Sequence, residues 1–304
     1  MRQMTFVADS PVWKGRPAAA TGRGHRGALV LSAVAAGLMA VASVTGLVSP
    51  ATYHDPTAMV SMLRGFDLVT AVLVVPGLIG SLIGVRRGSL TAELVWVGLL
   101  AAAVYTYSIY VFGCTFNALF LVHVGVLSAS TVALILALVR LDVARVRVRL
   151  RPAAPVRWTS VLLGLLALGL GAMWAVSSLR FALTGAAPVS SSLVETDAMV
   201  HLGYALDLSL LVPAYATGAV LLWRRAPWGH VIAAVVLVSG LVHQVGYLVA
   251  MPFQVAAGVP GAVRTDLAEP VIIALFLIAA WLLLASLRPV RGDAAAASTG
   301  PVRP

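Results

Sequence analysis

Apolar residues come in long unbroken blocks along this chain. Eight blocks, roughly 28–49, 66–85, 91–113, 116–139, 158–180, 203–223, 228–250 and 268–287, carry almost no charge. Each is long enough for a helix to cross the hydrocarbon core of a bilayer, which takes about 20 residues. The spacing predicts an all-α, polytopic membrane bundle of about eight transmembrane helices. Polar residues collect between the blocks. They divide the chain into a basic tail (1–27), a first four-helix half (28–140), a basic linker (141–157), a second four-helix half (158–288) and a disordered tail (289–304).

Composition sharpens that picture. Sixty per cent of the 304 residues are hydrophobic, 11% are charged and the mean hydropathy is +0.97. A soluble domain carries roughly 25% charged residues, so lipid is the solvent for most of this chain. With one cysteine, Cys114, the chain closes no internal disulfide and holds no cysteine-ligated zinc or iron–sulfur group. Lys14 is the only lysine among 21 basic residues. With the abundance of Ala, Val and Gly, that suggests a high-GC bacterial coding sequence.

A net charge of +10 raises the question of nucleic acid, but the arginines flank apolar blocks and no binding fold or aromatic interleaving accompanies them. Placing the N-terminus inside puts 18 of the 21 basic residues on the inner side, leaving only Arg64, Arg180 and Arg264 outside. The positive-inside rule then places both termini in the cytoplasm of a cell whose plasma membrane holds the protein. The central inner stretch "RLDVARVRVRLRP" (140–152) reads as a positive-inside loop that can meet anionic lipid headgroups.

The second and sixth blocks share a plan. "FDLVTAVLVVPGLIGSLIGVRRGS" and "LDLSLLVPAYATGAVLLWRRAPWG" each begin near Asp-Leu, hold Val-Pro in mid-span and end in Arg-Arg. This points to a parallel 4+4 duplication. Aligning Asp67 with Asp207 needs a gap, because the Asp-to-Arg distances differ. Pro76 and Pro213 each remove a backbone donor and predict kinks.

Polar groups gather in the outer half. His201, Tyr204 and Asp207 step by three along one side of the sixth block, and His243, Gln244 and Tyr247 share a side of the seventh. Groups this deep require protein partners or a wet cavity. The candidate ligand-binding residues are therefore His201, Tyr204, Asp207, His243 and Tyr247, with an Asp207–His243 contact expected. The competing role for Asp67 and Asp207 is capping at helix starts. His123 and His243 raise the alternative of two haem ligands, and His201, Asp207 and His243 that of a metal site. No catalytic motif accompanies either, so no catalytic residue, cofactor or metal is assigned.

The stretches "YVFGCTFNALFLVHVGVLSASTVALILAL" (110–138), "RRGSL", "ALDLSLLVP" and "LLWRRAPWG" resemble a group of uncharacterised bacterial multi-pass membrane proteins, over most of the chain from the first helix onward. The resemblance implies the fold class alone. It also implies an aromatic residue such as Tyr where His123 stands. The functional expectation is binding or transport of a small molecule or ion through an outer polar cavity. The alternatives are a membrane-embedded enzyme or redox protein, and an assembly or regulatory partner.

Overall fold

The computed structural model describes residues 18–149, 156–188 and 191–287. Both expected tails fall largely outside these residues, as does part of the basic linker. The described chain is all-α, and eight of its helices are long and apolar enough to cross a membrane. We label the helices α1 (Ala18–Val48), α2 (Thr57–Arg86), α3 (Leu90–Phe112), α4 (Phe120–Arg140), α5 (Val143–Arg149), α6 (Val156–Thr184), α7 (Asp197–Trp223), α8 (Pro227–Ala256) and α9 (Ala268–Ala285). All but the short α5 are spans.

The first four helices close into a bundle: α1 lies along α4, and α3 packs between α2 and α4. In the second unit α6 packs on α7, α7 on α8 and α8 on α9, but α6 and α9 scarcely meet. That unit is open along one side. The halves join where α8 packs on α2 and α3. The join is close because Gly65 of α2 faces the backbone of Ala250, where a Cβ would collide. Small residues at such crossings allow the backbone approach on which membrane packing depends.

The helices that hold Pro76 and Pro213 each contain one π turn, Thr70–Val74 in α2 and Asp207–Leu211 in α7. Each turn ends where Val75 or Val212 donates to the carbonyl five residues back, just before the proline that has no N–H to give. The match continues to the hairpins. Gly88 and Arg225 both adopt the left-handed conformation (φ 77° and 54°). Ser89 N–H donates to Gly84 O in one turn and Ala226 N–H to Leu221 O in the other. Turns, prolines and hairpins fall at one constant sequence spacing with no gap. In that register Asp67 matches Tyr204, not Asp207, so the two acids stand one helical turn apart.

Two expectations about the helix starts are corrected. The spans holding Asp67 and Asp207 begin at Thr57 and Asp197, so both acids lie well inside helices and cap neither. In α2 the segment before Asp67 is helical because Met59, Met62, Leu63 and Phe66 form one buried face at helical spacing. Arg64, also in that segment and half-buried, donates from Nη2 to Leu47 O (3.4 Å) and lies over the Phe253 ring at 5.6 Å. Part of the basic linker is the helix α5. Its Val146 is buried, and Arg145 donates to Gly88 O at 2.7 Å and lies 3.8 Å from Glu93.

Candidate functional site

Asp207 opens the π turn of α7 and is 8% exposed. Its carboxylate accepts from the Tyr105 hydroxyl of α3 (2.6 Å) and from Trp174 Nε1 of α6 (2.8 Å). A buried charge needs such donors. The Trp174 ring in turn stacks on Tyr204 at 4.2 Å, and the Tyr204 hydroxyl donates to Ser177 Oγ at 2.8 Å. His243 of α8 lies 4.7 Å from Tyr105 and 4.7 Å from Tyr247, ring to ring. Tyr105 therefore links His243 to Asp207 indirectly.

These groups surround a cavity of about 530 Å³ in the open second unit. Asp207, Trp174, His243, Gln244, Tyr247 and Glu269 supply its polar lining, and leucines of α6 with Ile272 and Phe276 of α9 its apolar walls. Gln244 Nε2 donates to Glu269 Oε2 at 2.9 Å. Gly169 also lines the cavity and has open space in front of its Cα. Of the five residues expected from the sequence, Asp207, His243 and Tyr247 line the cavity. Tyr204 backs Trp174, and His201 is exposed.

The segment before α7 lies at the cavity rim. Ser191 and Ser192 line the cavity; Ser191 donates to Glu195 Oε2 (2.7 Å) and Ser192 to Asp266 Oδ2 (3.0 Å). Burial raises the Glu195 carboxyl above its ordinary range, and the negative charge of Asp207 adds to the effect, against the hydrogen bonds from Ser191. Gln254, 1% exposed, fastens the segment: it accepts from Val194 N–H at 2.9 Å and donates to Val194 O at 2.8 Å and Ala58 O at 3.0 Å. Leu193 is buried in the core of the first unit.

The first unit also has a buried acid, but protein groups fill the space around it. Asp67, 1% exposed, accepts from the hydroxyls of Tyr53 and Tyr110, each at 2.8 Å. Gly46 leaves room for this arrangement, since a Cβ there would meet the Asp67 carboxylate and the Tyr53 hydroxyl. His123 is fully buried beside Tyr110 (4.7 Å between rings) and Tyr107 (5.8 Å). Tyr105 faces His243, whereas Tyr107 and Tyr110 face His123. Residues two apart point to opposite sides of a helix, so α3 separates the two histidines, which do not form the pair a shared haem requires. The metal set is also not assembled: His201 is exposed, and no group of three His, Cys, Asp or Glu positioned to hold a metal occurs among the described residues.

Trp174, Tyr105 and Glu269 were not singled out as site residues in the sequence. A tryptophan buried in mid-span needs a partner for its N–H, and Trp174 is far enough from both ends of its block to carry that signal. Nothing in the local pattern ties Glu269 to Gln244. No family profile, curated protein or solved structure matches the chain, so the functional reading rests on this geometry.

Proposed function

We propose that the protein binds, and passes across its membrane, a small amphiphilic molecule held in the cavity of the second unit. The observation that carries this reading is the cavity itself. At about 530 Å³ it falls in the range of small-molecule sites, which are mostly apolar with a few placed polar groups. The space around Asp67 in the first unit is filled by tyrosine and histidine rings, so the cavity is a property of the second unit and not of the shared plan. It opens where α6 and α9 part, toward lipid, and at the rim formed by Ser191 and Ser192. The π turn and Pro213 put a break in α7 beside it, the kind of discontinuity that lines transporter sites. We take the arginine-rich ends of the helices to face the cytoplasm, which directs the rim outward in a plasma membrane, with α5 against anionic headgroups.

Filling the cavity tests the proposal. Gly169→Phe places a ring in open space. Small molecules extracted from purified wild-type protein and identified by mass spectrometry should be depleted at least about tenfold in the variant, while thermal stability holds within about 1 kcal/mol, the scale of a glycine replacement in a helix. Equal recovery from both proteins would defeat the reading.

A further inference from the structure

The lining of the cavity also identifies the charge of its ligand. Asp207 and Glu269 both reach the cavity, and no arginine or lysine is among the lining residues. The rings of Trp174, Tyr215, Tyr247 and Phe276 line the same cavity, and Trp174 donates to Asp207 directly. Aromatic faces and carboxylates together are the chemistry that holds an organic ammonium, by cation–π attraction and charge. His243 is the one lining group that can itself become a cation. Two carboxylates in a membrane site are costly without an opposite charge. The neutral donors on Asp207 and Glu269 supply hydrogen bonds but no charge, and each carboxylate keeps lone pairs for another donor. The remaining wall, mostly leucine with Met173 and Ile272, suits an apolar tail.

Building on the cavity reading above, we propose that the ligand is an organic ammonium carrying an apolar group, with its cationic end between Asp207 and Glu269 and against the aromatic lining. The same chemistry is offered by a free hydrophobic amine and by the ammonium of a lipid headgroup.

A matched series of probes tests the charge. Phenylbutylamine, phenylbutanol and phenylbutyrate share a tail and differ in the end group. Calorimetric titration into the purified protein at neutral pH should show saturable binding of the amine, roughly tenfold tighter than the alcohol, with the acid weakest. Glu269→Gln should bring the amine close to the alcohol, and Asp207→Asn should do the same. Glu269→Gln keeps a partner for Gln244, so it remains informative if the Asp207 variant does not fold. Gly169→Phe should abolish all binding. If alcohol and amine bind equally and Gly169→Phe removes both, the ammonium assignment is overturned and the cavity reading stands. If no probe shows binding that Gly169→Phe removes, the cavity reading falls too. Nanodiscs separate the two sources. Weaker amine affinity in phosphatidylcholine than in phosphatidylglycerol discs supports a headgroup ligand, and equal affinity supports a free amine.

Discussion

At the scale of single residues, the environment of each buried acid sets its role. Asp67 and Asp207 are both acids in apolar helices, and each takes two donors from aromatic side chains. One is packed into the first unit and the other lines a cavity. Glu195 is a partly buried acid outside the spans, and its raised pKa makes stability depend on pH. The unfolded chain releases this proton near the ordinary glutamate value, whereas the folded chain holds it to higher pH. The folded state thus binds more protons through that window, and stability falls as pH rises across it. Glu195→Gln removes the penalty. The variant should match wild type below about pH 4, where both states are protonated, and become the more stable protein as pH rises through the folded value. Thermal unfolding followed across pH checks this; a difference that does not change with pH would show that Glu195 does not titrate on folding. Asp207, His243 and Tyr247 were legible in the sequence because a polar residue in an apolar block requires a reason. Glu195 and Glu269 were not, since an acid beside a helix start reads as an ordinary first-turn residue.

Among the helices and the segments that join them, α8 organises the molecule. It packs on α2 and α3 of one unit and on α7 and α9 of its own, and its Gln254 ties the rim segment to α2. The apolar blocks showed that this helix exists, and the proline pair pointed to a shared plan in α2 and α7. The register in which these two helices match was not legible. Asp-Leu is the most conspicuous shared pair, yet the π turns and prolines of α2 and α7 match at a different spacing, and hydrophobic patterning carries no sign of a π turn. The start of α2 was also hidden, because Arg64 read as loop until its partners Leu47 and Phe253 were visible in three dimensions. Gln254→Leu removes three hydrogen bonds at a buried position and leaves the Val194 N–H and two carbonyls without their partner. The expected loss is about 2–4 kcal/mol, from a net value near 1 kcal/mol per bond and the added penalty for unpaired groups. Hydrogen exchange should accelerate selectively over 191–196. Uniform acceleration, or none, would show that the clasp does not hold the rim.

For the whole molecule, the distribution of arginine becomes a statement about orientation. Arg86, Arg87, Arg140, Arg145, Arg157, Arg224 and Arg225 lie at or beside one set of helix ends, and Arg180 and Arg264 lie near the other. The short hairpins after Arg87 and Arg224 and the helix α5 share the arginine-rich side, so that side is built from tight turns and carries the Arg145–Glu93 pair. The opposite side carries the longer segment that covers the cavity rim. The cost of translocating an arginine favours keeping the crowded side in the cytoplasm. Reporter fusions truncated after Asp55, Thr115, Pro188 and Pro260 should therefore report outside, and those after Gly88, Asp142 and Ala226 inside. The fusion after Pro188 is the sharpest arm, because it follows the basic linker and α6 and directly precedes the rim. A cytoplasmic signal there would place the cavity rim on the inner side, and a ligand reaching it from solution would then come from the cell interior.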